Sequence, residues 1–233
     1  MPDIRSVDYK ICTGCAACAN LCPKEAIVMR ENGEGFLYPE IDEDKCVHCG
    51  ICYQRCPAMY PQYENKETPD CYAVVGKDKL REVSSSGGMF SILAEYVLGR
   101  NGYVCGAAYT EQKTTVRHVI ISEREDLPRL RGSKYIQSEI GTVYKQLKEK
   151  ILKGAPVLFV GCPCQVAGLK SFLGKEYDNL ITADLVCHGT PSHLVFEKFI
   201  KDLRDNGEIE TVNFRQKKQY GWTPTMQVVY KNG

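Results

Sequence analysis

The sequence predicts a chain of α+β and α/β class, in which a small cysteine-rich N-terminal module precedes a mixed α/β domain that looks truncated. Three observations lead to this prediction. Cysteines crowd the first quarter of the chain in two copies of one pattern. From about residue 70 onward, strand-like and helix-like apolar segments alternate. The chain stops soon after a strand pattern, at a turn signal that no second strand follows.

The first module is defined by a repeated cysteine spacing that ends in Cys-Pro in both copies. The pattern Cys-x-x-Cys-x-x-Cys-x-x-x-Cys-Pro is typical of two-cluster bacterial ferredoxins, where the fourth cysteine of each run binds the other cluster. We therefore predict a ferredoxin-like module with two 4Fe–4S clusters. The predicted ligand sets are Cys12, Cys15, Cys18 and Cys56 for one cluster, and Cys46, Cys49, Cys52 and Cys22 for the other.

Two other uses of these cysteines compete with this one. A zinc ribbon also pairs Cys-x-x-Cys motifs, but a four-ligand zinc site leaves no role for the third cysteine and the Cys-Pro of each run. A disulfide module belongs to an oxidising compartment, whereas the N-terminus has no signal-peptide pattern. We expect a cytoplasmic protein of an anaerobe, with no membrane span. The 30 basic and 29 acidic residues form no basic block that would indicate nucleic-acid binding.

The chain divides into three predicted regions: a ferredoxin-type domain at 1–65, a middle region at 66–155 and a last region at 156–233. Inside the first, apolar segments at 26–29 and 36–38 flank a Gly-rich turn and predict a β-hairpin. The polar, Pro-bracketed segment 60–69 predicts a linker.

Beyond the linker, an apolar strand precedes each helix, which predicts a sheet domain. The final strand runs into Asn232-Gly233, a hairpin signal without a partner strand, so the domain looks incomplete. The predicted strands cover 71–75, 102–109, 116–122, 157–160, 180–187, 209–214 and 226–230, and the predicted helices 89–98, 143–152, 165–173 and 193–203.

Three segments of this domain carry candidate chemistry. The run 84–88 stands before a predicted helix, where free amides could seat a phosphate, although a simple Ser N-cap is an equal alternative. The turn 161–165 follows a strand at the sheet edge where ligands bind, and its Cys162 and Cys164 could form a redox dithiol or be structural. Cys187-His188 suggests nucleophilic catalysis, yet adjacent strand residues point to opposite faces.

Four blocks in order, at 84–98, 130–138, 157–169 and 184–196, resemble the coenzyme F420 hydrogenase/dehydrogenase beta-subunit family. The resemblance implies a flavoprotein that binds FAD and exchanges electrons between FAD and iron–sulfur clusters. In methanogens, members of the family pass hydride to or from the deazaflavin coenzyme F420. The fold does not fix the acceptor, so another organic acceptor stays open.

The resemblance also implies site residues, although it assigns no catalytic residue. One set would hold FAD phosphates or ribose: Ser84, Ser85, Ser86, Gly87 and Gly88, with Arg131, Gly132, Ser133 and Lys134. A second set would line the flavin face: Gly161, Pro163, Cys164 and Gln165, with Cys187, His188 and Gly189. Two departures stand out, because the family more often has Thr at the position of Cys162 and continues into a downstream cysteine motif, so its C-terminal part is missing here.

The sequence thus predicts an iron–sulfur flavoprotein oxidoreductase that passes electrons between 4Fe–4S clusters and FAD, and on to or from coenzyme F420 or another organic acceptor. We expect a redox partner protein, either a ferredoxin or a hydrogenase/dehydrogenase subunit, and a small-molecule acceptor. The alternative is a non-catalytic electron-transfer subunit, or a truncated remnant, that docks a partner enzyme.

Overall fold

The N-terminal module is built from short helices and one hairpin. The computed structural model describes residues 1–61, 68–111, 115–217, 221 and 225–231, with the backbone alone at 78. The hairpin is confirmed, and the side chain of Asn32 closes its turn by accepting the amides of Glu34 and Phe36. The module contains a 3-10 turn at Ile4–Ser6, then α1 (Ala17–Leu21), β1 (Ile27–Glu31), β2 (Leu37–Ile41) and α2 (Ile51–Gln54).

The rest of the described chain alternates strands and helices, as the sequence predicts. The helices are α3 (Asp78–Glu82), α4 (Met89–Leu98), α5 (Leu127–Leu130), α6 (Val143–Leu152), α7 (Pro163–Leu173) and α8 (His193–Arg204), with a 3-10 turn at Arg124–Asp126. The strands are β3 (Tyr103–Tyr109), β4 (Val116–Ile121), β5 (Ser138–Glu139), β6 (Val157–Gly161), β7 (Leu180–Asp184), β8 (Ile209–Asn213) and β9 (Gln227–Tyr230).

Five strands form one mixed sheet in the order β5-β4-β3-β6-β7. β3 and β4 are antiparallel, while β3 with β6, β6 with β7, and β4 with β5 are parallel. Strands of the regions 66–155 and 156–233 therefore share a sheet. Because β3, β6 and β7 run the same way, their carboxyl ends meet at one edge, and the segments that follow β6 and β7 begin there.

Helices cover both faces of this sheet. On one face, α4 and α5 pack on β3 and β6 through residues such as Val97 and Leu158. On the other face, α6 and α7 pack through Tyr144, Leu169 and Phe159. Every residue of β6 is buried, which explains its continuous apolar sequence. A separate apolar cluster joins α8 to the two-stranded β8-β9 sheet.

Three sequence predictions need correction. The segment 71–77 is not a strand, because it runs beside the 84–88 loop, with the Gly76 amide donating to Gly87 O at 2.7 Å, instead of joining a sheet. β7 ends at Asp184, so 185–187 lie in an exposed loop. α7 begins at Pro163, whose fixed φ suits the first helical position.

The final strand pattern has a partner. β9 pairs antiparallel with β8, from Gln227 opposite Asn213 to Tyr230 opposite Ile209. The turn residues Asn232 and Gly233 and most of the predicted linker, 62–67, lie outside the described residues, so the incompleteness of the domain stays a prediction. Among the described helices, none has both the length and the apolar character needed to cross a bilayer.

Candidate functional site

One of the two predicted cysteine sets surrounds a hollow in the N-terminal module. Cys22, from the first run, lines this hollow together with Cys46, Cys49 and Cys52 from the second. Apolar side chains complete the wall, among them Ile27 of β1. The crossing of the fourth cysteine from one run to the other set is therefore present in the geometry.

The other predicted set includes Cys18, which lies on α1. Burial raises the pKa of Cys15 to about 12, and the neighbouring thiols of Cys56 and Cys12 act in the same direction. Burial also raises the pKa of Cys18 well above its usual range, with further contributions from the same thiols. Cys12, Cys18 and Cys56 also pack in one apolar cluster of the module, which agrees with neighbouring sulfurs. Thiols of raised pKa are protonated at neutral pH, so binding of iron would release their protons.

The two cysteine sets do not fit a site for a single metal ion. In the parts of the chain that the structure describes, no three cysteine, histidine or carboxylate side chains are placed to hold one ion. Each cysteine of a 4Fe–4S site binds a different iron, so its four sulfurs stand around a larger volume than the ligands of one zinc. Both cysteine sets match that wider arrangement in residue type and in the crossing of the fourth ligand.

The first cysteine set lies against the α/β domain. The Tyr144 hydroxyl, fully buried on α6, is 3.0 Å from Cys15 O and 2.8 Å from Gln165 O. Nearby, the Asn20 amide donates to Gly141 O at 2.8 Å. Gly168 of α7 lets the two parts approach closely, because a Cβ there would stand 3.2 Å from Cys15 Cβ. The module is thus seated on α6 and α7.

A second contact joins the hairpin to the same domain. Gln137 Oε1 accepts the Leu37 amide at 2.9 Å. His193, buried at the start of α8, lies 2.9 Å from Glu31 Oε1 through Nδ1 and 2.7 Å from Gln137 O through Nε2. These side chains tie β1, β2 and α8 together, so the module is held on two sides.

The turn between β6 and α7 stands at the carboxyl edge of the sheet. Gln165 Oε1 accepts the Cys162 amide at 2.9 Å, and its Nε2 donates to Ser138 O at 3.1 Å. This capping box explains why the helix starts at Pro163. Both polar atoms of Gln165 are used inside the protein, and Gly161 has no room for a side chain, because a Cβ would meet Gln165 Oε1 at 2.9 Å.

Three thiols meet beside this turn. Burial raises the pKa of Cys162 to about 12, and the neighbouring thiols of Cys187 and Cys164 act in the same direction. Burial also raises the pKa of Cys164, the charge of Cys187 acts in the same direction, and the neighbouring Thr13 hydroxyl acts in the opposite one. Since Cys164 also influences Cys15, the thiols adjoin the first cysteine set.

Cys187, His188 and Gly189 lie in the exposed loop after β7. The Gly189 amide donates to Cys187 Sγ at 3.4 Å, and Gly189 has a φ of 108°. The structure gives no contact between the Cys187 thiol and the His188 imidazole, and the strand on which the two were predicted to point apart does not extend this far. Cys187 instead neighbours Cys162 and Cys164, and it acts on the pKa of both thiols.

The 84–88 loop precedes α4 but does not cap it with a serine. Gly88 is the N-cap, with a φ of 95°, and no side chain bonds to the helix start. Ser84 Oγ donates backward to Leu80 O at 2.7 Å. Ser85 Oγ accepts the amide of Ser133 at 3.0 Å, which joins this loop to the 131–134 loop. The two segments predicted to hold FAD phosphates are therefore neighbours, and the first-turn amides of α4 have no side-chain cap.

The two basic residues of the second loop differ in their surroundings. Arg131 Nε donates to the buried Ser91 Oγ of α4 at 3.0 Å. Lys134 Nζ donates to three carbonyl oxygens at the end of α5 and directly after it, those of Leu130, Arg131 and Gly132, at 2.9 to 3.3 Å. Burial lowers the pKa of Lys134 to about 8. Its ammonium bonds to the protein's own backbone, and its role on a phosphate stays a prediction.

Sequence reasoning missed His118 and Tyr109. Buried His118 lies 3.1 Å from Val160 O through Nε2 and 2.8 Å from Ser138 Oγ through Nδ1, so Nε2 donates and the imidazole is neutral. Burial lowers its pKa to about 4. Tyr109, at the carboxyl end of β3, has a buried hydroxyl without a partner among the described residues. The position of His118 on an alternating strand was the only signal for its burial.

Fold and site together define an iron–sulfur module joined to a mixed α/β domain, and comparison with known families agrees. Residues 11–59 match a 4Fe–4S dicluster domain. Residues 71–145 match the N-terminal part, and residues 154–233 the C-terminal part, of the coenzyme F420 hydrogenase/dehydrogenase beta subunit. The two beta-subunit matches cover about two thirds of the chain. The chain belongs to the coenzyme F420 hydrogenase/dehydrogenase beta-subunit family.

Similar proteins come from methanogens. A subunit of the F(420)H(2) dehydrogenase of Methanosarcina mazei is 22% identical over 94% of this chain and 65% of its own length. The coenzyme F420-dependent sulfite reductase of Methanocaldococcus jannaschii is 26% identical over 81% of this chain and 29% of its own length. The chain thus spans less than two thirds of either relative. The F420-reducing [NiFe] hydrogenase complex from Methanosarcina barkeri aligns with 69% of this chain and 56% of its own chain at 18% identity, with a TM-score of 0.48.

Proposed function

We propose that this chain is an iron–sulfur flavoprotein oxidoreductase that passes electrons between two 4Fe–4S clusters and FAD, and on to or from coenzyme F420 or another organic acceptor. Bound clusters and flavin would supply the exchange between single electrons and hydride, while the protein supplies position and electrostatics. One observation carries the proposal: the cysteine set around Cys15 is seated on α6 and α7 at the carboxyl edge of the sheet, next to Cys164.

The proposed cluster ligands follow the two cysteine sets. Cys22, Cys46, Cys49 and Cys52 line one hollow, which supports their assignment to one cluster. The mutual effects among Cys12, Cys15, Cys18 and Cys56 support the other. The second set lies in the outer part of the module, against Asp3 and His48, and the first lies against the α/β domain. This order favours electron exchange with a partner protein near the second cluster.

The proposed flavin site lies where the 84–88 and 131–134 loops meet. The uncapped start of α4 offers amides to a phosphate, and the Arg131 guanidinium, held through Ser91, adds positive charge beside that helix. Gly87 has no room for a side chain, because a Cβ there would meet Val74 O, and Gly88 adopts the positive φ of 95° that glycine favours. We propose that this junction binds the FAD phosphates. The 161–165 turn and the 187–189 loop would then line the site nearer the flavin ring.

A specific observation favours the alternative of an electron-transfer subunit without its own turnover. Lys134 and Gln165, two predicted flavin residues, direct their polar atoms at the protein's own backbone. In addition, the similar protein of Methanosarcina mazei is itself one subunit of a dehydrogenase. A flavin bound only in a complex with a partner subunit would fit this alternative.

Anaerobic reconstitution followed by metal and flavin analysis tests both candidates. The proposal expects about eight irons and one FAD per chain. Cys49→Ser should lower the iron content, whereas Cys71→Ser, an exposed cysteine outside both runs, should not. Well-folded protein with full iron and no flavin would leave only the electron-transfer alternative. Rapid mixing of the reduced protein with coenzyme F420 then tests the acceptor, and absence of electron exchange would exclude F420.

A further inference from the structure

We propose that His193 acts as a proton-dependent latch: with both ring nitrogens protonated, its side chain fastens the β1-β2 hairpin to the α/β domain, and loss of one proton opens this contact. The imidazole lies at the start of α8, with only 3% of the side chain exposed. No cluster or flavin atom takes part, so the inference does not depend on the proposed function.

The number of N–H groups that the site requires carries the inference. His193 Nδ1 lies 2.9 Å from Glu31 Oε1, and Nε2 lies 2.7 Å from Gln137 O. A carboxylate oxygen and a carbonyl oxygen are acceptors, whereas a neutral imidazole carries a single N–H. In the neutral form, one ring nitrogen would therefore direct its lone pair at an oxygen. Both contacts are hydrogen bonds only when both nitrogens carry protons.

The charges around the ring favour the second proton on Nδ1. Glu31 of β1 and Glu139 of β5 place carboxylate oxygens 2.9 and 3.9 Å from this nitrogen. Their side chains are 49% and 44% exposed, so water stabilises both negative charges. A buried cation needs paired negative charges of this kind. The ion pairs of the described residues give neither carboxylate a lysine or arginine partner, which leaves the imidazolium as their cation.

The other contacts at this junction are made by uncharged groups. The His193 backbone amide donates to Gly35 O in the hairpin turn at 3.2 Å. Gln137 Oε1 accepts the Leu37 amide of β2 at 2.9 Å. These hydrogen bonds do not change with pH in the range in which histidine titrates, whereas the bond from the imidazolium to Glu31 does. The junction thus combines a permanent tie to the turn and β2 with a proton-dependent tie to β1.

Loss of one proton acts on the tie to Glu31. Nε2 keeps its proton, because Gln137 O belongs to the backbone and cannot turn away. The Nδ1 lone pair then faces the Glu31 carboxylate, whose exposed side chain can turn into water. The contact is therefore present in the more acidic part of the histidine range and is lost as the pH rises. Since β1 also supplies Ile27 to the wall of the hollow lined by Cys22, the proton on His193 is linked to the seating of the cysteine module.

Hydrogen exchange measured by mass spectrometry at several pH values tests the latch, because it reports local opening. The full chain, reconstituted anaerobically and with its iron content measured, is compared between about pH 5.5 and 8, where histidine changes charge. After correction for the intrinsic exchange rate, opening of the hairpin should increase roughly 3- to 10-fold across this range, because one hydrogen bond between a charged donor and a half-exposed acceptor is lost. His118, whose pKa is lowered to about 4, stays neutral throughout and cannot produce this change.

Three variants assign the change to the latch. His193→Gln has no titrating proton, so its hairpin opening should be nearly independent of pH. Glu31→Gln should also remove the pH dependence, because an amide can accept from the protonated ring or donate to the neutral one. Glu34→Gln removes an exposed carboxylate of the same hairpin and should keep the wild-type dependence.

The outcomes of this experiment separate the latch from a general effect of pH. The inference is overturned if hairpin opening in the wild type is independent of pH, or if it increases only together with loss of iron. It is also overturned if Glu31→Gln keeps the wild-type dependence, or if Glu34→Gln abolishes it. Because Glu31→Gln changes a half-exposed side chain, it decides the question even when the substitution at buried His193 prevents folding.

Discussion

Substitution of Gly168 by alanine should loosen the contact between the N-terminal module and α7. A Cβ at this position would stand 2.9 Å from the Tyr144 hydroxyl, 3.2 Å from Cys15 Cβ and 3.2 Å from Cys15 O. The first distance is shorter than real Cβ contacts, and Tyr144 cannot swing away because its ring is fully buried between Phe159 and Phe172. The cysteine loop must therefore move.

Opposing effects set the size of the change. Overpacking a filled core costs about 1–3 kcal/mol, and displacing the Tyr144 hydroxyl from its acceptors costs about 1 kcal/mol more. Alanine in place of glycine within a helix stabilises the helix by about 1 kcal/mol, because its helix propensity is higher. The net destabilisation of the docked state is then about 1–3 kcal/mol, which corresponds to roughly a 5- to 150-fold rise in the undocked population.

Hydrogen exchange measured by mass spectrometry is the direct assay, because it reports local opening. Protection of amides in the Cys15 loop and in α6 should fall by the stated factor in Gly168→Ala. Gly33→Ala is the control, since no heavy atom lies within 4 Å of the position that its Cβ would take. An unchanged exchange rate in the cysteine loop, together with a higher melting temperature, would show that helix propensity outweighs the contact and would refute the reasoning.

Three further outcomes are expected. Cys56→Ser and Cys22→Ser should each lower iron from about eight to about four per chain, and loss of all iron in either variant would contradict independent sites. The pKa of buried His118, lowered to about 4, leaves the folded imidazole unprotonated while an unfolded one takes up a proton below about 6.5. The contribution of His118 to the free energy of unfolding should thus be fully present above pH 6.5 and fall by about 3 kcal/mol as the pH drops to 4. An NMR titration midpoint near 6.5 for His118 would rule this out. Lys145→Ala should change stability by less than about 1 kcal/mol in thermal unfolding, because its partner Glu25 is largely exposed; a larger loss would show that the ion pair helps to dock the module.

Much of the fold could be predicted because its signals are local. The apolar spacing of α4 and α6 predicted both helices with the bounds observed, and the cysteine spacing predicted two sets with crossed fourth members. The prediction of a strand at 71–75 was wrong, because an apolar run does not reveal whether a neighbouring strand is available for pairing. The sequence also could not show that Lys134 bonds to backbone carbonyls at the end of α5. A basic residue after a short helix can bond the last carbonyls of that helix as readily as it bonds a ligand.

The parts that sequence could not predict depend on distant residues. Tyr144 contacts Cys15 across 129 positions, and Gln137 contacts Leu37 across 100. No periodicity or spacing rule connects residues so far apart.

The seat of the N-terminal module on α6 and α7 has a consequence for synthesis of the protein. Asn20 and its acceptor Gly141 are 121 residues apart, so the cysteine module leaves the ribosome long before the surface that receives it exists. At roughly 5–20 residues per second, this interval is about 6–25 s. During that time the module has only its own small core, including Ile4, Val7 and Ile27, to keep its thiols together. Early acquisition of iron would therefore protect the nascent chain before docking can do so.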